Sequence, residues 1–328
     1  MGLGKRGNHV VPKSYIEQFG DERSFVTTHF VDDEQMPPKD LPATHVGKRK
    51  SIYLTEPDAD GIRGRELEDH FGEIETKALP LLKSLDERWP IDSTDERGKI
   101  AEYLAIQLLR TPAWLHTLDR NSRASADAYQ APKWVPDHIV AAARKDAPLR
   151  RNQFDAAMGL KALIGTMFAS MRWTLLRTSS PLIASSDQPL VAVPFDPETP
   201  TGPVLRSGIK SIEEVRLPIS CERVLLLDWY DALDGQRPAT IPRDAVRTIN
   251  FATIEQADIH WFPRPQRDPP RSHPRTRLAN NYATQGYNSQ TAYGSERRTR
   301  VLATIDQIHQ SDEPRDQISI LHARPAGE

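Results

Sequence analysis

Thiols are nearly missing from this chain: Cys221 is its only cysteine in 328 residues. That excludes an intramolecular disulfide framework and any zinc cluster built on several thiolates. Charge of one sign is missing as well. Lys and Arg number 43 against 45 Asp and Glu, a net charge of −2, so no global field draws the chain to nucleic acid or to a membrane surface. No apolar run reaches the roughly 18 residues of a membrane helix, and residues 1–20 lack the apolar stretch of a secretory signal. We expect a soluble, cytoplasmic protein with no membrane partner. The chain also has no Walker A loop, no G-x-G-x-x-G, no H-E-x-x-H, no C-x-x-C, no His-x-x-His and no EF-hand spacing. NTPase, Rossmann oxidoreductase, zincin and zinc-ribbon readings are set aside.

Proline, by contrast, is abundant, with 27 residues, while the hydrophobic share is 38% and the mean hydropathy −0.58. Polar, proline-rich loops diluting an ordinary core account for all three. Pro12 can open a short helix that ends at Gly20, and Ser24–Val31 reads as a strand. A loop with Pro37, Pro38 and Pro42 leads to a second strand at Ser51–Leu54. A long helix is expected from about Arg65 to Glu87, with a kink or break near Ala78 because of Pro80. The next has Ser93 or Thr94 as N-cap and runs toward Leu118, with a bend at Pro112. After a short helix at Asp137–Arg144, residues 153–176 are apolar around the whole wheel and predict a central buried helix. Short apolar runs follow at Leu182–Ala184, Leu190–Val193, Glu214–Leu217 and Val224–Trp229. A helix at Arg243–Ala257 and a strand at Ile259–Phe262 come after them. The expectation is an α+β fold: one mostly helical domain over residues 1–262 with a small antiparallel or mixed sheet, then a C-terminal extension over 263–328.

Gln107 is out of place on the second long helix. Ile100, Leu104, Thr111, Trp114, Leu115 and Leu118 form its apolar stripe, Gln107 lies along the axis of that stripe and Arg110 at its edge. A buried primary amide needs partners or costs roughly 1–3 kcal/mol, so a polar centre is expected inside the fold. Glu75 borders the apolar stripe of the preceding helix and needs a partner of its own. One reading pairs it with Arg110 across the two helices; the other gives Arg110 to a phosphate or carboxylate of a ligand.

His9 is either a satisfied histidine or, with its pKa near 6.5, a base or ligand. Asp187 follows an apolar run in Ser-Ser-Asp-Gln-Pro, a frequent place for a catalytic or metal-binding carboxylate and equally for one that accepts backbone N–H groups. Asn250 shares a helix face with Val246, Ile249 and Thr253 and can support the same centre. Between residues 264 and 300, eight arginines face only Asp268 and Glu296, beside Tyr282, Tyr287 and Tyr293. That stretch is either a solvated loop or an arm for nucleic acid.

NHVVPKSYIEQF, EIETKALPLL, QLLRTP, ASSDQPLV and RLPIS followed by TIN occur in that order across residues 8–262. Together they resemble the DUF4238 family, which has no established activity. The resemblance marks His9, Pro12, Glu75, Gln107, Arg110, Asp187 and Pro189 without supplying a mechanism. From the residues themselves, the first functional expectation is a metal-dependent phosphodiester hydrolase, nuclease-like and serving in defence or as a toxin. Glu75 and Asp187 would hold Mg²⁺ or Mn²⁺, Arg110 would stabilise phosphoryl charge, His9 would act as base and Gln107 would orient a ligand or water. The alternative is a non-catalytic module that binds a nucleotide or nucleic acid. A third reading is a buried network that only gives the fold its specificity.

Overall fold

The computed structural model describes residues 7–31, 36–50, 66–111, 149–194, 212–229, 237–263 and 303. The expected strand at 51–54, the helix at 137–144, the bend at Pro112, the residues Trp114–Leu118 and the arginine-rich stretch 264–300 lie outside these. Strand β1 (Gly7–His9) leads to a short helix α1 (Lys13–Ile16) and a 3₁₀ turn, Glu17–Phe19, which stops at Gly20. β2 (Phe25–Phe30) pairs with β3 (Lys39–Pro42), and β4 (Lys48–Lys50) returns to pair antiparallel with β1. Gly47, at φ 66°, makes the turn into β4. This left-handed backbone favours glycine, and it sets His9 opposite Lys48.

Three helices form the α-layer: α2 (Glu66–Lys83), α4 (Thr94–Leu109) and α5 (Leu149–Ser170), with α3 (Leu85–Arg88) as a single turn after α2. α2 runs without interruption through Ala78 and Pro80. The turn comes at Ser84, whose N–H and hydroxyl both donate to the Pro80 carbonyl. Ser93 caps α4 as expected, its hydroxyl accepting the Glu96 N–H. α4 packs between α2 and α5, and Lys161 of α5 joins the three through His70 of α2 and Glu102 of α4.

The central helix is shorter than its apolar pattern predicted. It ends at Ser170, and Arg172–Arg177 is strand β5. Apolar residues on every side fit a buried helix and a buried strand equally, so periodicity alone does not find that boundary. Trp173 anchors the change by donating to the Phe168 carbonyl at 2.9 Å, with the Arg97 guanidinium 4.5 Å over its ring.

The β-layer has two sheets. One is five-stranded and mixed, in the order β10 (Ala239–Thr240), β5, β9 (Arg223–Asp228), β8 (Ile212–Ser220), β7 (Val191–Pro194), with β10 parallel to β5. The other is antiparallel, in the order β3, β2, β11 (His260–Phe262), β6 (Ser185–Ser186). Helix α6 (Arg243–Gln256) packs on β6 and β7. The expected strand at Leu182–Ala184 is not a strand; these residues lead into β6. The α+β expectation holds, with more sheet than the apolar runs announced.

The five-stranded sheet carries apolar and charged faces. Trp173, Leu227 and Val215 stand in one register row and Leu175, Leu225 and Leu217 in another; these rows belong to the apolar side. On the other side Arg172 faces Asp228, and Asp228 faces Glu214. The Arg172 guanidinium grips both Asp228 oxygens, at 2.9 and 2.6 Å, and Arg216 pairs with Glu214. All four are buried, which such charges tolerate only when paired and hydrogen-bonded.

Candidate functional site

The C-terminal half of α4 builds the site. Tyr103, Gln107 and Arg110 are four and three residues apart, which places them on one face of the helix. Tyr103 is 0%, Gln107 1% and Arg110 2% exposed. Arg110 is the C-cap residue, and its Nη1 donates to Glu75 Oε1 at 2.5 Å. The interhelical ion pair read from the sequence is therefore present, and Phe71, one turn before Glu75 on α2, lies 5.5 Å under the same guanidinium.

His9 arrives from the other side, at the end of β1. Burial first, then the Lys48 charge and more weakly Arg110, hold its pKa below 6.5, against a hydrogen bond to the Thr44 backbone that raises it. His9 is thus neutral at cell pH. The ring nitrogen bonded to the Thr44 carbonyl carries the proton, which leaves Nε2 as an acceptor. Burial pushes the Tyr103 phenol well above its ordinary value of 10.0 and outweighs the opposing Arg110 charge, so it keeps its proton.

Among the described residues, Nε2 of His9, the hydroxyl of Tyr103 and both amide atoms of Gln107 are buried without a hydrogen-bond partner. Native interiors rarely leave such atoms unmatched. The Arg110 charge acts on both His9 and Tyr103, and Gln107 lies between Tyr103 and Arg110 along α4; this group is the polar centre that Gln107 announced. Tyr103 was not singled out from the sequence. Its signal was its position four residues before Gln107 and seven before Arg110.

Glu75 connects the centre to solvent. Its side chain is 22% exposed, against 1% for Arg110. It lies in the wall of a cleft of about 480 Å³ between α1 and α2, with Ser14, Tyr15, Gln18, Thr76 and Leu79 among the other walls and Ile219 of β8. Tyr15 ties this wall to the sheets, its hydroxyl meeting Ser185 Oγ at 3.0 Å and donating to the Pro218 carbonyl.

Asp187 and Asn250 form a separate brace. The Asp187 carboxylate accepts the backbone N–H groups of Asp258 (2.9 Å), Ile259 (2.9 Å) and His260 (3.2 Å). Asn250 accepts the Ala184 N–H at 2.9 Å and donates to the Leu182 carbonyl at 2.8 Å. Gln256 donates to the Gln188 and Leu190 carbonyls from the same helix. α6 and the start of β11 thereby lock the Ser-Asp-Gln-Pro segment in place.

Of the six residues read as a site, the structure brings His9, Glu75, Gln107 and Arg110 together. It gives Asp187 and Asn250 to the backbone. Glu75 is engaged by Arg110 through Oε1, and the Asp187 carboxylate accepts three backbone N–H groups, so both carboxylates already have protein partners. Among the described residues no group of three or more His, Cys, Asp or Glu is arranged to hold a metal ion. No helix among them is long and apolar enough to cross a membrane.

Fold and site define an α+β protein with a buried polar centre behind an open cleft. The chain belongs to the family described as Protein of unknown function (DUF4238), which matches residues 8–262. Neither a curated protein nor a solved structure matches the chain.

Proposed function

We propose that this protein binds a small phosphorylated ligand of the nucleotide class at the polar centre around Arg110. The observation that carries the reading is the set of buried polar atoms on His9, Tyr103 and Gln107 that lack partners beside a guanidinium. A cleft of about 480 Å³ reaching Glu75 supports it, being of the size that small-molecule sites occupy. Calorimetric titration with nucleoside monophosphates tests it: binding is expected for the wild type and is lost in Arg110→Met and Tyr103→Phe/Gln107→Met. Binding that survives both variants refutes the assignment.

A second reading, phosphodiester hydrolysis of the nuclease type, is favoured by one feature, the neutral His9 with its acceptor Nε2. Such a nitrogen can take a proton from an attacking hydroxyl while Arg110 meets phosphoryl charge. A form assisted by Mg²⁺ or Mn²⁺ on Glu75 and Asp187 requires both carboxylates to leave their present partners. RNA and DNA degradation by the full chain, with Mn²⁺ and with a chelator, decides it. Activity that Glu75→Ala and His9→Gln both abolish supports hydrolysis, and equal degradation by the variants ends it. The arginine-rich 264–300 segment is the part of the chain suited to a nucleic-acid partner, and its deletion should weaken RNA retention if that partner is real.

A further inference from the structure

We propose that Glu75 is a built-in competitor for the anion seat on Arg110, and that the ligand displacing it is a phosphomonoester on a hydroxylated carbon framework, such as a sugar phosphate. The inference rests on the ligand-binding reading above and adds the ligand's chemistry and the resting occupant of the seat.

The seat follows from exposure. Arg110 is sealed, and the solvent-side group on its Nη1 is the Glu75 carboxylate, itself part of the cleft wall. A carboxylate and a phosphate offer a guanidinium the same kind of paired oxygen acceptors. Space for the displaced side chain exists one turn away. At Gly72, which also lines the cleft, an added Cβ would meet nothing within 4 Å.

The ligand's chemistry follows from the atoms left unmatched while Glu75 is seated. Tyr103 holds its proton and offers a donor. The Gln107 amide offers a donor through Nε2 and an acceptor through Oε1, and His9 Nε2 is an acceptor. A bare anion answers only the donors. The two acceptors call for hydroxyl groups on the same molecule. On the solvent side of Glu75, Ser14, Gln18 and Thr76 give the cleft a polar wall, while Leu79 and Ile219 give it an apolar side for a carbon framework.

Isothermal titration of the full chain with ribose 5-phosphate, inorganic phosphate and ribose tests the proposal on wild type, Glu75→Gln and Glu75→Asp. Glu75→Gln keeps a hydrogen-bonding group near Arg110 but removes the competing charge. It is expected to bind ribose 5-phosphate at least tenfold more tightly than the wild type, with inorganic phosphate weaker and ribose weakest. Glu75→Asp, too short to reach the guanidinium as well, should gain a few-fold and carries the test if the glutamine variant does not fold. Arg110-dependent binding by the wild type that neither variant tightens overturns the competitor role and leaves the binding site standing. Absence of binding in all three proteins overturns the sugar-phosphate proposal, and the nucleoside monophosphate titration then decides the binding reading by itself. Inorganic phosphate binding as tightly as the sugar phosphate overturns the ligand class.

Discussion

Replacing Gln107 with methionine should make the protein more stable while removing ligand binding. The amide is 1% exposed and neither of its polar atoms has a partner among the described residues. A buried polar group in that condition costs about 1–3 kcal/mol, and methionine fills nearly the same volume with no polar atom to desolvate. Both residues are good helix formers, so α4 itself is not penalised. The expected gain is therefore about 1–3 kcal/mol. For a domain of this size it raises the melting temperature by roughly 2–12 °C in a calorimetric scan without ligand. Titration of the same protein with ribose 5-phosphate should show at least a tenfold loss of affinity. A fall in melting temperature on Gln107→Met would mean that the amide is satisfied in solution and that its place on the apolar face is structural. Higher stability with unchanged affinity would remove Gln107 from the site.

Asp187→Ala should cost about 3 kcal/mol or more in urea unfolding, because three backbone N–H groups lose one charged acceptor. A catalytic or metal-binding Asp187 would instead leave stability unchanged. Asp228→Ala should cost about 3–5 kcal/mol by stranding the Arg172 guanidinium in the sheet, and Arg172→Met/Asp228→Leu should recover most of that loss. His9, held below 6.5 by burial and by Lys48, binds its proton less readily folded than unfolded. Its contribution is complete above pH 6.5 and declines as pH falls through the folded-state value. His9→Gln should flatten that decline in chemical denaturation between pH 7.5 and 5. His70, shifted the same way by burial and then by Lys161, keeps part of the slope.

What the sequence disclosed was governed by where the chain obeys a single period. α6 and the start of α4 could be read because cap and stripe agree: Ser93 opens one and Pro242 precedes the other, whereas α4 stops at Leu109, short of the expected Leu118, with Arg110 as its C-cap. Arg172–Arg177 could not, because a segment buried on both faces has no alternation to reveal it as strand. β3 was hidden for the opposite reason, as Lys39-Asp40-Leu41-Pro42 has neither β-branched residues nor a clean alternation and pairs only because β2 lies beside it. The charged face of the five-stranded sheet was hidden too. Its partners Arg172 and Asp228 stand far apart in the chain and meet only through strand register.

The candidate site was legible to the extent that it is local. Gln107 and Arg110 share one helix and contradict its apolar pattern, which is what made them visible. Glu75 could be matched to Arg110 because two long amphipathic helices each left one charge at the edge of a stripe, and the ion pair at 2.5 Å bears that out. Asp187 belongs to a different logic. Its place after an apolar run gave catalysis and backbone capture equal standing, and no spacing along the chain can separate them, since the N–H groups it accepts lie beyond α6. A carboxylate bonded by three N–H groups is held in a direction that closes the loop. The same reasoning turns around at Arg110. There the partner is a partly exposed glutamate in a cleft wall, and its departure is what the proposed anion seat requires.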